Sequence, residues 1–247
     1  MPNRCLAMGW TALLAMLAPT VLHAAAEGTV ISAVARPLND SQAPPMQVRI
    51  AFCGPMLRSY WRDASGRLLA ADELALDGQG NFTSYRYWLP GVAETLSARR
   101  KGGRVQIELR EGARSRTREL RVPDGVQVGP TIMLRAREVA MGTGVVPEAM
   151  PYLVPDRFMV LDFRVARAVD QGDPGWIRVD PDSFIVRQFV DPIDVYFAAD
   201  GMLKRVRGRS LVATGRPGHK DPMDVDLNVT GRATEECSLE PLARPPE

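Results

Sequence analysis

Histidine is almost missing from this chain. Two occur in 247 residues, His23 and His219, and the first falls inside an N-terminal segment that reads as an export signal. With one imidazole left, histidine-rich metal centres are excluded, and a Ser-His-Asp triad would rest on His219 alone. That residue lies in Gly215-Arg216-Pro217-Gly218-His219-Lys220, which is loop composition, so an exposed loop histidine is the reading. Gly-x-Ser-x-Gly elbows, Walker sequences, His-Glu-x-x-His helices and Cys-x-x-Cys pairs are lacking as well. No catalytic residue, cofactor or metal is assigned.

An excess of one charge is also lacking: 31 basic side chains face 29 acidic ones. Such a balance argues against a dedicated nucleic-acid binder, whose long-range attraction to phosphates needs a marked basic surplus. After the first segment no apolar run of spanning length follows, so no transmembrane segment is expected in the mature chain. Cysteine is scarce, with Cys5, Cys53 and Cys237 only. Cys5 precedes the apolar stretch instead of marking a cleavage point, which speaks against lipid anchoring.

The first 26 residues carry the clearest signal. Arg4 supplies a positive start, residues 6–22 an apolar core interrupted by Pro19, and Ala24-Ala25-Ala26 a small-residue cleavage site. The mature protein is expected to begin at Glu27 and to be periplasmic. An oxidising compartment makes a Cys53–Cys237 disulfide the expectation, with two unpaired thiols as the alternative.

Beyond residue 26 the chain is strands and turns. Residues 27–46, with Pro37, Pro44 and Pro45, read as an N-terminal extension, 47–237 as a single antiparallel β domain and 238–247 as a flexible tail. Strands are expected at 47–52, 59–62, 67–69, 73–76, 81–88, 94–99, 104–111 and 116–122. Asp63-Ala64-Ser65-Gly66, Asp77-Gly78-Gln79-Gly80 and Lys101-Gly102-Gly103 supply turns between them. Val105, Ile107 and Leu109 alternate with Gln106, Glu108 and Arg110, which is the period of a half-buried strand. The period changes at 132–140, where Ile132, Ala136, Val139 and Ala140 share a helical face behind Pro130. A second short helix or turn is expected at 147–153. Strands resume at 158–169, 176–179, 183–190, 194–197, 203–207, 209–213 and 223–229.

Three side-chain groupings bear on chemistry. Asp221, Asp224, Asp226 and Asn228 offer oxygen ligands, yet lack the glycine and closing glutamate of a calcium loop and read as a strand's wet face. Arg99, Arg100 and Lys101, then Arg114, Arg116, Arg118 and Arg121, then Lys204, Arg205, Arg207 and Arg209 form basic clusters. They read as solvated strand faces and edges, with contact to anionic headgroups or envelope polysaccharide as the alternative. Tyr60, Trp61, Tyr85, Tyr87 and Trp88 belong to a sheet core or line an apolar cleft.

The order of elements resembles that of bacterial half-barrel envelope proteins, a group that includes periplasmic lipoprotein carriers and uncharacterised relatives. The resemblance rests on the turns at Asp77-Gly78 and Asp200-Gly201 and on Val128-Gly129-Pro130-Thr131-Ile132-Met133-Leu134. It also rests on 158–169 followed by 183–189 and the 194–207 hairpin, and it spans about residues 48–230. It implies a mainly β fold, a curved antiparallel sheet of about a dozen strands forming a half-barrel or open barrel, with one or two short helices near the middle. Because the carriers hold acyl chains in an apolar concavity closed by helices, it also implies a ligand space between the sheet and residues 132–153. The expectation is therefore a non-enzymatic periplasmic protein that binds a lipid-like or apolar ligand, or an envelope partner, through Tyr60, Trp61, Tyr87, Trp88 and Ile132. The competing expectation is a hydrolase of envelope carbohydrate or lipid using carboxylates such as Asp180, Asp182, Asp191 and Asp194. An assembly factor pairing through a sheet edge is a third.

Overall fold

Alternation of apolar and polar side chains turns most of this chain into sheet. In the computed structural model, which describes residues 27–40, 42–143, 149–188 and 190–237, the stretch 104–111 buries Val105, Ile107 and Leu109 and exposes Arg104, Gln106 and Arg110. Among the described residues fifteen strands form. The first eight are β1 (Glu27–Pro37), β2 (Met46–Cys53), β3 (Met56–Arg62), β4 (Leu68–Leu76), β5 (Phe82–Leu89), β6 (Glu94–Lys101), β7 (Arg104–Glu111) and β8 (Arg114–Arg121). After β9 (Gln127–Val128) come the helix α1 (Thr131–Met141), β10 (Met150–Val154), β11 (Met159–Arg167), β12 (Trp176–Pro181) and a four-residue helix α2 (Phe184–Arg187). The chain closes with β13 (Ile193–Phe197), β14 (Leu203–Arg216) and β15 (His219–Glu236). The expected export signal and the tail at 238–247 lie outside the described residues.

All fifteen strands belong to one sheet in the order β8-β7-β6-β5-β4-β3-β2-β1-β15-β14-β13-β12-β11-β10-β9. Neighbours are consecutive in the chain except at the centre, where β1 pairs with β15. Two meanders thus run outward from a seam made by the first and last strands. Every pairing is antiparallel but the two-residue match of β9 with β10. The mainly β, curved-sheet expectation holds, and of the two helices α1 lies near the middle as foreseen. Residues 27–37, set apart above as an extension, instead supply the strand that joins the two meanders.

The sheet rolls up, and its second edge is tucked into its own concavity. Val122, Val126, Val128, Leu153 and Phe158, from the β8–β9 link through the start of β11, share one core with Tyr85, Tyr87, Leu96, Ile107 and Leu109 of β5–β7. A tight glycine allows this approach: Gly129 has φ +50, and a Cβ there would lie 2.5 Å from the Tyr85 ring. A second core forms where Ile132 and Ala136 of α1 cover Phe163, Val165, Ile177, Val179 and Val195. The helix starts after Pro130 and stops at Gly142 in the left-handed region, as the sequence indicates.

Several boundaries differ from the sequence expectation. The stretches 67–69 and 73–76 fuse into β4, because Ala70 to Leu74 are buried on both faces and alternation vanishes there. The stretches 203–207 and 209–213 fuse into β14, with a register shift between Arg209 and Ala213. The expected second helix near 147–153 is a strand from Met150 on. The strand expected at 183–190 is instead the turn of α2, and its apolar residues face outward: Phe184 is 73% exposed and Ile185 68%. Apolar composition alone does not separate a buried strand from an exposed turn.

Cys53 and Cys237 are bonded, with Cα atoms 5.7 Å apart. The bridge links the end of β2 to the residue after β15, passing over β1, which lies between those strands. Gly28 makes the passage possible, since a Cβ there would lie 2.2 Å from Cys237 Sγ and 2.6 Å from the Phe52 carbonyl. Replacing Gly28 by alanine is expected to cost roughly 1–2 kcal/mol through overpacking. Urea midpoints measured with and without the bridge check this. A cost unchanged by removing both cysteines would assign the strain to Phe52 instead.

Candidate functional site

The aromatic pairs expected to line one cleft are divided between the two faces of the sheet. Trp61 and Tyr87 are buried in the interior core. Tyr60 and Trp88, their chain neighbours, point to the opposite face, where the register brings both opposite Ala71. Ile132 sits in the second core, under α1. The structure does not bring these five residues together around one cavity. Adjacency in a strand was the available signal, because neighbours of period two cannot share a face.

The interior contains a polar row instead. On β4, Asp72 is buried and accepts hydrogen bonds from Ser59 Oγ and, at 3.4 Å, from the Tyr85 hydroxyl. Burial pushes the Asp72 carboxyl up to about 6, against the opposing pull of these two donors. Burial likewise raises the Tyr85 and Tyr87 hydroxyls, with nearby carboxylates adding to it, so both remain neutral donors. Tyr152 donates to the Gly129 carbonyl at 3.2 Å, and this contact closes the tucked edge.

The row continues to a buried ion pair. Glu94, 1% exposed, accepts the Tyr87 hydroxyl and pairs with Lys220 Nζ at 2.6 Å. Lys220 also reaches Asp156 at 3.0 Å and the Tyr87 hydroxyl at 3.2 Å. Three parts of the chain meet here: the start of β6, the start of β15, and the turn Pro155–Arg157 between β10 and β11. Two carboxylates around one ammonium satisfy a charge that burial would otherwise make expensive.

Above that floor opens a cleft of about 360 Å³ lined by Glu111, Arg116, Asp156, Arg157, Gly218, His219, Lys220 and Asp221. A neighbouring hollow of about 550 Å³ shares Glu111, Arg116, Arg157 and Gly218 with it and adds Arg114 and Ser115. Phe158, the buried neighbour of Arg157, has an uncommon backbone state, φ 54, and the guanidiniums of Arg116 and Arg118 both lie over its ring, at 5.3 and 5.4 Å. His219, read as a loop residue, is exposed at this rim. Lys220, its neighbour, had no sequence signal, because its partners are 64 and 126 positions away.

Pairing accounts for part of the other groupings. Asp226 accepts Arg205 and Asp224 accepts Arg209 at 2.8 Å, across β14 and β15. The Arg205 hydrogen bond, with the nearby Arg207 charge, holds the Asp226 carboxyl below its usual range. Three of the four carboxylates expected for hydrolysis are engaged separately, Asp194 by Arg178 at 2.8 Å, Asp182 by Arg164 and Asp180 by Arg187 at 3.6 Å.

No family model matches the chain, and no curated protein does. Among solved structures, the chain is similar to a β-barrel-like protein of a domain of unknown function from Brucella abortus. The two share 10% identity and a TM-score of 0.51, over 85% of this chain and 99% of that one. At that identity the likeness is one of fold, a bacterial β-barrel-like architecture.

Proposed function

We propose that this is an exported, non-enzymatic binding protein of the bacterial envelope, and that its ligand enters the cleft between the β7–β8 turn, Pro155–Arg157 and the β14–β15 turn. The observation that carries this reading is the solvent-open polar cleft floored by Lys220 and Asp156, with Glu94 buried behind Lys220. Such a floor holds polar groups in fixed positions for a ligand to meet. Export is supported by the signal-like first 26 residues and by a disulfide suited to an oxidising compartment. The concavity that an acyl carrier would keep open is occupied here by Val128, Leu153 and Phe158. The ligand reading therefore moves from the apolar interior to the polar rim.

Native mass spectrometry of the protein taken from its own envelope fraction tests both parts. The expected species begins at Glu27 and carries a polar small molecule that is lost on mild activation. A chain retaining residues 1–26 in that fraction would sink the export reading. A clean apo mass under native conditions would sink the binding one.

A further inference from the structure

Deepening the binding reading above, we infer that the hollow beside the cleft is a phosphate site built on Arg114, Arg116 and Arg157. These three guanidiniums and one carboxylate, Glu111, line the same space, which leaves a formal excess of two positive charges there. Arg116 is fixed by Glu111 at 2.8 Å and by the Phe158 ring. Arg157 lies 3.9 Å from Asp156, outside hydrogen-bond range, and that carboxylate is held closer by Lys220. Arg114 and Arg118 make no ion pair among the described residues.

The contrast with the other basic strand is decisive. On β14, Arg205 and Arg209 are each hydrogen-bonded to an aspartate across the ladder, Asp226 and Asp224, and Arg207 lies 3.9 Å from Asp226, so that cluster keeps a formal excess of one positive charge. On β8 the row Arg114, Arg116, Arg118 faces one side of the sheet's edge strand. Arg116 and Arg118 are crowded onto one phenyl ring, where like charges repel unless an anion lies between or beside them. A single carboxylate engages one guanidinium fork. Several open forks suit a group with three or more acceptor oxygens and a double charge, which describes a phosphate monoester or a phosphorylated headgroup.

Two titrations of the purified protein test the site: inorganic phosphate by calorimetry, and vesicles containing phosphatidic acid, whose headgroup is a phosphate monoester, by co-sedimentation with phosphatidylcholine vesicles as the blank. Saturation by inorganic phosphate alone supports the site and assigns a soluble phosphorylated ligand. Co-sedimentation suppressed by free phosphate supports it and assigns a lipid headgroup. In either arm the Arg114→Gln/Arg157→Gln double variant is expected to bind at least tenfold more weakly, whereas Arg121→Gln on the opposite face of β8 changes affinity less than twofold. Both substituted residues of the double variant are exposed, so their loss leaves the fold intact, which an unchanged melting curve confirms. Absence of binding in both arms overturns the inference, and so does an equal loss in Arg121→Gln. If the native ligand is present yet indifferent to phosphate and to the double variant, the binding reading stands and the phosphate assignment falls.

Discussion

Replacing both Cys53 and Cys237 by serine is expected to lower stability by about 5 kcal/mol and the melting temperature by roughly 10–20 °C. The bridge spans 184 positions, so in the unfolded chain it constrains nearly the whole molecule. Loop entropy grows only with the logarithm of length, but a loop this long lies at the upper end of the range. The location sharpens the expectation. β1 and β15 form the seam between the two meanders, and the bridge closes that seam at the end where β1 begins. Without it, the ends of β1 and β15 are free to fray, and both halves of the sheet lose their shared edge. Calorimetric melting of the serine variant against the parent, with reductant added to the parent as a second route, measures the effect. Two transitions in the variant would show that the meanders separate. A shift of under about 3 °C by both routes would show that strand pairing alone holds the seam.

How much of this was legible depends on whether the cause is local. The turn at Asp77-Gly78-Gln79-Gly80-Asn81 is self-contained: Asp77 accepts from the Gln79 and Asn81 backbone N–H groups, so five residues suffice to read it. Alternation at Val105, Ile107 and Leu109, and the helix between Pro130 and Gly142, are local in the same sense. The cysteine pair was readable because so few cysteines leave little choice. The central place of β1 was not, since its partner β15 lies at the far end of the chain. The site fared worst for the same reason. The aromatic clusters drew the eye to Tyr60 and Trp88, while the buried contacts of Lys220 depend on carboxylates delivered by β6 and the Pro155–Arg157 turn. The basic cluster on β8 was visible as composition. What separates it from the one on β14 is cross-strand register, which places Asp224 and Asp226 beside one set of arginines and no matching acid row beside the other.

Asp72→Asn is expected to stabilise the protein, and only above about pH 4. The carboxyl is buried, and its pKa in the fold is about 6 against 3.8 for a free aspartate side chain. An acid whose pKa is raised by folding binds its proton more tightly in the native state. Between those two values the native chain carries a proton that the unfolded chain has lost, so stability falls as pH rises through the interval. Below it both states are protonated and no penalty applies; above it the full cost of a buried carboxylate is present. The difference corresponds to roughly 3 kcal/mol at pH 8, or a rise of about 6–12 °C in melting temperature for the asparagine variant. Asparagine keeps the shape, and its oxygen and amide can still meet Ser59 and Tyr85, whose hydroxyls accept as well as donate. Denaturant titrations at pH 4, 5, 6 and 8 read the effect directly. The two proteins should nearly match at pH 4 and diverge up to pH 6, with little further change beyond. A gap as large at pH 4 as at pH 8 would mean that packing changes dominate. A variant less stable at every pH would mean that the carboxylate's hydrogen bonds outweigh its desolvation, and that the polar row from Ser59 to Glu94 is held together by charge.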